Sequence, residues 1–264
     1  MKRFRNVILG ILVLTYLAIA IGFVSGRRGD VLCNKLDIII IDSASNNLVS
    51  KSEIRAFIME KYKNLFQTRI DSIQIHKIEE KVNSYPAIKS SEIYKTIQGS
   101  IVIKIKQRSP IARVYSNSKN SYYIDNEGVV IPYKSGLKRL LVVNGNIGTD
   151  FKGMKNINYD SLVVGVKADS SEIMHKIYEM AKHIKADPFL DAQIEQMYVN
   201  EQHEFELIPK VGNFVIVFGD TIDAKEKFAK LKAMYFDGIG QSGWNKYKIL
   251  NLKYTDQVVC TRRD

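Results

Sequence analysis

From Pro110 onward the sequence breaks into short apolar, β-branched and aromatic runs separated by turn residues: ARVY, YYID, GVVIPY, LLVVNG, IEQMYV, EFELI, FVIVFG, KILNLKY and QVVCTR. This rhythm leaves few folds open. Such runs between glycine, asparagine, aspartate and proline read as strands, and their regular succession predicts a mainly antiparallel sheet. Two stretches interrupt it with a helical period. SSEIMHKIYEMAKHIKAD carries Ile173, Ile177, Met180 and Ile184 on one stripe, opens on an Asp169/Glu172 capping pair and stops at Asp187-Pro188. TIDAKEKFAKLKAMYFDG carries Phe228, Leu231 and Tyr235, with Gly238 expected just past its end. The 45% hydrophobic content supplies enough apolar material for a real core.

The segment before Pro110 has a different texture. LDIIIID, from Leu36 to Asp42, is short and β-branched and reads as a strand. In NLVSKSEIRAFIMEKY, Ser50 and Glu53 have capping-box spacing, and Val49 and Ile54 flank them as a hydrophobic staple. Ile54, Phe57, Ile58 and Tyr62 then recur at helical spacing. HKIEEKVNSYP predicts a second helix with Ile78, Val82 and Tyr85 on one face and Pro86 as its stop. AIKSSEIYKTIQ and SIVIKIKQR flank Gln98-Gly99 as a hairpin, with Ile101, Ile103 and Ile105 inward and Lys104 and Lys106 outward. The order β-α-α-β-β describes a small sheet with two helices on one face. The chain is thus α+β, with one domain over 36–108 and a second over 109–264.

The N-terminus adds an expectation of a membrane. Lys2, Arg3 and Arg5 precede a run without charge from Val7 to Gly26. As a helix that run is about 30 Å long, the thickness of a bilayer core. Ala18-Ile19-Ala20 resembles a signal-peptide cleavage site, but the apolar run continues through Ile21, Phe23 and Val24, past the usual span of about 7–15 residues. The reading is a cytoplasmic tail (1–6), an uncleaved transmembrane signal anchor (7–26), a connector (27–35) and an extracytoplasmic bulk.

The motifs that could carry chemistry are weak. SYYIDNEGVVIP, from Ser121 to Pro132, sets Asp125, Asn126 and Glu127 before Gly128. No later residue completes a calcium loop, and no cleft separates two acids as glycoside hydrolysis requires. A hairpin turn explains every residue: Asp125 starts it and Gly128 supplies positive φ. GIGQSG, Gly238 to Gly243, matches a dinucleotide fingerprint, but a helix precedes it and a strand follows, the reverse of the required context. Glu172 and His175 form a single E-x-x-H without a second copy. His175 and His183 read as partly exposed helix residues. The two cysteines, Cys33 and Cys260, make neither a disulfide framework nor a zinc set. No catalytic residue, cofactor or metal is expected. The net charge of +11 favours an anionic neighbour. Anionic lipid or wall polymer fits better than nucleic acid, and Lys225, Lys227, Lys230 and Lys232 read as a solvated helix face.

Taken in order, these parts resemble the bacterial cell-division family FtsQ, called DivIB in Gram-positive bacteria. NLVSKSEI resembles the start of the first helix of its POTRA domain, and IEEKVNSYPAIKSSEIYK the segment that follows. IVIKIKQRSPIA resembles a family motif in which glutamate is usual where Gln107 stands. YYIDNEGVVIP and KILNLKY resemble two further motifs, the second departing at Asn251 and Lys253. Residues 148–167 match least well. The resemblance implies a non-catalytic, single-pass scaffold of the divisome in the inner membrane at the septum. Such a scaffold links early and late division proteins for septal wall synthesis. It implies partners of the FtsB/FtsL type, one adding a strand to an exposed sheet edge. Carried over residue by residue, that edge falls on Lys253, Tyr254, Gln257, Val258, Val259 and Cys260. Two alternatives stay open: an envelope enzyme acting on wall polymer through Asp125 and Glu127, and a POTRA-bearing module of another envelope assembly.

Overall fold

The structure, a computed structural model, describes residues 2–28, 31–42, 47–118, 120–134, 137, 139–148, 168–239 and 243–263, with backbone alone for 2–7, 23–28 and 168–171. The expected transmembrane anchor over 7–26 is not met. Among the described residues no helix is long and apolar enough to cross a membrane. Helix α1 runs over Lys2–Arg28, but its described side chains are those of residues 8–22. The fold class is α+β without that span. The chain divides into two units, Met1–Gln107 and Arg108–Asp264.

In the first unit, β1 (Lys35–Ile40) leads to α2 (Lys51–Lys61), then to α3 (Ile75–Asn83), β2 (Ile88–Lys95) and β3 (Ser100–Gln107). The capping box forms as the spacing requires. Glu53 N donates to Ser50 Oγ at 3.2 Å, and Ser50 N donates to Glu53 Oε2 at 2.7 Å. Two short 3-10 turns, Leu65–Gln67 and Ile70–Ser72, separate the helices; neither was expected. The sheet order is β1-β3-β2, with β1 parallel and β2 antiparallel to β3. Ile54, Ile58, Ile78 and Val82 of the helices are buried, as are Leu36, Ile38, Ile101, Ile103 and Ile105 of the sheet. Lys104 and Lys106 face the other way; Lys104 pairs with Glu92 across the hairpin at 3.5 Å. The hairpin turns at Gly99, whose φ of +86° and 2.6 Å clearance from a Cβ position to Leu32 O exclude a side chain.

Gln107 has a structural role of its own in this unit. It is 1% exposed, and its Oε1 accepts from Leu48 N and Val49 N, both at 2.9 Å. Its Nε2 donates to Asp42 Oδ1 at 3.2 Å. A glutamate could accept the same two N–H groups, but it could not donate to a neighbouring carboxylate. The departure from the family motif thus suits the aspartate beside it.

The second unit is built on a nine-stranded sheet. The strands are β4 (Pro110–Tyr115), β5 (Ser121–Asp125), β6 (Val130–Pro132), β7 (Leu141–Gly145), β8 (Ile194–Val199), β9 (Phe205–Pro209), β10 (Val215–Gly219), β11 (Tyr247–Asn251) and β12 (Val259–Arg262). Their order is β12-β11-β10-β9-β8-β7-β4-β5-β6. The sheet is mixed. The pairs β4-β7, β7-β8 and β10-β11 are parallel and the remaining neighbours antiparallel. Parallel neighbours need crossovers, and the helices supply two of them: α4 (Ala168–Ala186) with α5 (Pro188–Gln193) before β8, and α6 (Ala224–Ala233) before β11. Ile173, Ile177, Met180 and Ile184 of α4 and Phe228 and Leu231 of α6 all enter one buried cluster with the strands. His183 stacks on Phe228 at 4.6 Å.

Two boundaries differ from expectation. Asp187-Pro188 ends α4 but also begins α5, because Asp187 Oδ1 accepts from Phe189 N and Leu190 N while proline takes the first turn. Gly238 does not follow the end of α6. The helix widens into a π-turn, Met234–Ile239, that contains it. The side chain of Asp169 and residues 240–242 lie outside the described residues, and with them the Asp169/Glu172 cap and part of GIGQSG.

Candidate partner-binding edge

Strand β12 and the connection that leads into it form the candidate site. Val215, Ile216 and Val217 of β10 pair in parallel with Ile249, Leu250 and Asn251 of β11. Ile216 and Leu250 are fully buried, so this join is anchored in the core. β12 then returns antiparallel, with Val259 opposite Asn251, Cys260 opposite Leu250, Thr261 opposite Ile249 and Arg262 opposite Tyr247. On its other side β12 has no strand among the described residues. Alternate residues of an antiparallel strand turn their N–H and C=O groups to opposite sides, so β12 directs unpaired backbone groups outward.

Of the six residues assigned to the edge, Val259 and Cys260 lie in β12. Lys253, Tyr254, Gln257 and Val258 lie in the connection, which bends at 254–256. Val258 and Cys260 lean on the buried cluster, whereas Tyr254 is 50% and Val259 40% exposed. Cys260 is a poor nucleophile, since burial raises its thiol pKa. Lys253 N donates to Asn251 Oδ1 at 3.0 Å, and its ammonium donates to Glu204 Oε1 at 2.6 Å. That carboxylate holds the lysine pKa above its ordinary value.

The lysines of α6 correct an expectation. Lys227 is 7% exposed and donates to Asp220 Oδ1 at 2.6 Å. Lys232 donates to Asp187 Oδ2 at 2.6 Å. Lys230 donates to backbone carbonyls of the connection, those of Leu252 at 3.4 Å, Thr255 at 3.0 Å and Tyr254. Only Lys225 remains a plainly solvated member of the set, among the described contacts. For Lys230 no local pattern signalled this, because its acceptors are backbone atoms more than twenty residues away.

At the far end of the sheet β6 is a poor alternative edge. Val130 and Ile131 are each 1% exposed, and the strand ends on Pro132, which has no N–H to offer.

The acidic turn has the geometry of a turn. Asp125 is fully buried. Its Oδ1 accepts from Glu127 N at 2.9 Å and Val129 N at 2.7 Å, and its Oδ2 accepts from Arg108 Nη1 at 2.9 Å. Gly128 sits at φ +76°. Glu172 pairs with Lys176 at 2.6 Å, which lowers its pKa. Burial against Phe228 lowers the pKa of His183. Among the described residues no group of three or more His, Cys, Asp or Glu is placed to hold a metal ion.

Comparison with protein families decides the affiliation. The family model described as "FtsQ/DivIB, C-terminal related" matches residues 109–261. The chain belongs to the FtsQ/DivIB family. The model of the POTRA-like domain matches residues 31–106, so this is a division-associated POTRA protein. No curated protein matches the chain. In FtsQ/DivIB terms, the matched C-terminal region contains the whole sheet from β4 to Thr261 of β12, and the POTRA-like region contains the first unit from Val31 to Lys106.

Proposed function

We propose that the chain is a non-catalytic scaffold of the division machinery that binds FtsB/FtsL-type partners, one of them by adding a strand to β12. The observation that carries this reading is the position of β12: outermost in the sheet, with a strand neighbour on one side only among the described residues. Main-chain hydrogen bonds then supply affinity, and the side chains beside the edge supply selectivity. Tyr254, half exposed at the approach to the strand, is the aromatic anchor. Val259 is the apolar residue at the start of the edge itself.

The test is capture of the FtsB-type protein of the same organism by the wild-type chain and by Tyr254→Ala and Val259→Asp. Both substitutions are expected to weaken capture by about tenfold or more, the scale of an interface hot spot. Undiminished capture by both variants would move the binding surface away from β12.

A further inference from the structure

Two lysines tie down the connection between β11 and β12. From α6, the ammonium of Lys230 meets the carbonyl oxygens of Leu252, Tyr254 and Thr255. An ammonium has three donors and here finds three acceptors, so its hydrogen-bonding capacity is filled by one short stretch of backbone. Each bond is charge-assisted. The connection's own Lys253 crosses to Glu204 at 2.6 Å. Its stem lies over Gly219, where a Cβ would stand 2.8 Å from Lys253 Cγ. A cleft of about 140 Å³ remains between α6 and the connection, lined in part by Asp220, Glu226, Lys227 and Thr255.

This arrangement has a directional consequence. Three carbonyls turned toward one point on α6 force the backbone to curl around that point. The Tyr254 ring is left half exposed, and the chain is delivered from Leu252 to Val259 in the register that β12 needs on β11. We propose that Lys230 is a positioning residue of the partner-binding edge: it does not touch the partner, but fixes the 252–258 connection so that Tyr254 and β12 are presented together. This rests on the reading of β12 as the partner edge. Lys230 pre-pays the ordering of the connection, so a partner strand meets an edge already formed.

Amide hydrogen exchange on the full chain without any partner tests the clamp by itself. In Lys230→Met, which keeps the stem and removes the donors, the amides of 253–258 are expected to exchange about tenfold faster or more. Those of β10 and the unfolding midpoint should stay near the wild-type values. Lys230→Gln, which retains an N–H donor group, should fall between the two. Lys225→Gln, on the same helix but solvated, should match the wild type. In capture of the FtsB-type protein, Lys230→Met should lose affinity, and its loss should be less than additive with that of Tyr254→Ala, because one acts through the other. Unchanged exchange at 253–258, an equal effect of Lys225→Gln, or strict additivity with Tyr254→Ala would overturn the proposal. Failure of the wild type itself to capture the FtsB-type protein would sink the reading of the edge, whereas the exchange result would still decide whether Lys230 orders the connection.

Discussion

Single side chains in this protein do work that their neighbours define. Gln107 accepts two backbone N–H groups and donates to Asp42. Gln107→Glu would set a second carboxylate against Asp42 in a buried site, at a cost of about 1–3 kcal/mol, the scale of a buried unsatisfied polar group. Denaturant unfolding of the first unit should show this loss, and Asp42→Asn in the same chain should recover much of it. Asp187 carries a pH-dependent term. Its pKa lies below the ordinary value of 3.8, chiefly because Lys232 donates to it and also because it accepts from the N–H groups of Leu190 and Phe189. The unfolded chain therefore binds the proton first as pH falls. The stabilisation is complete above about pH 4–5 and is lost as pH drops through the lowered folded-state value. Asp187→Ala should cost about 0.5–2 kcal/mol at neutral pH as a lost helix cap. Its unfolding free energy should converge with the wild type once pH falls below the lowered folded-state value, as the carboxyl protonates in both states. His183 acts in the same direction: burial lowers its pKa from 6.5, so the folded state prefers the neutral ring. Below about pH 6.5 wild-type stability should fall with a slope that His183→Phe removes.

At the scale of elements, strands and helix faces were readable because each residue pattern carries its own period. All nine runs after Pro110 form strands, and the apolar stripe of α4 is buried residue for residue. The three parallel joins were not readable. A period of two fixes which face is buried but not which way the neighbouring strand runs, and β10-β11 in particular depends on how α6 packs. Helix α5 was hidden because Asp187-Pro188 signals both an end and a start. The transmembrane reading rested on the uncharged run from Val7 to Gly26, but among the described residues no helix is long and apolar enough to cross a membrane. The candidate edge was partly legible. The resemblance placed six residues in one strand, where the structure has a bend at 254–256 followed by a four-residue strand. The two lysine straps had no sequence signal at all. A substitution at Gly219 probes the second strap: Gly219→Ala sits at φ +79° and presses on Lys253. It should destabilise the second unit by about 1 kcal/mol or more and also speed amide exchange at 253–258.

For the whole molecule, the two units have separate hydrophobic clusters and separate sheets. Each should fold when produced alone as 31–107 or 108–264, giving dispersed amide resonances in solution; a collapsed spectrum from either would show that its core is incomplete. The larger unit matches the FtsQ/DivIB C-terminal region and the smaller the POTRA-like domain. The claim that joins these levels is that β12 is an open edge awaiting a strand. Amide hydrogen exchange of the full chain with and without the FtsB-type protein of the same organism tests it most directly. The account predicts new protection at alternate amides of Val259–Arg262, the ones that face away from β11, with β6 unchanged. Protection that appears elsewhere while the β12 amides exchange as before would contradict it.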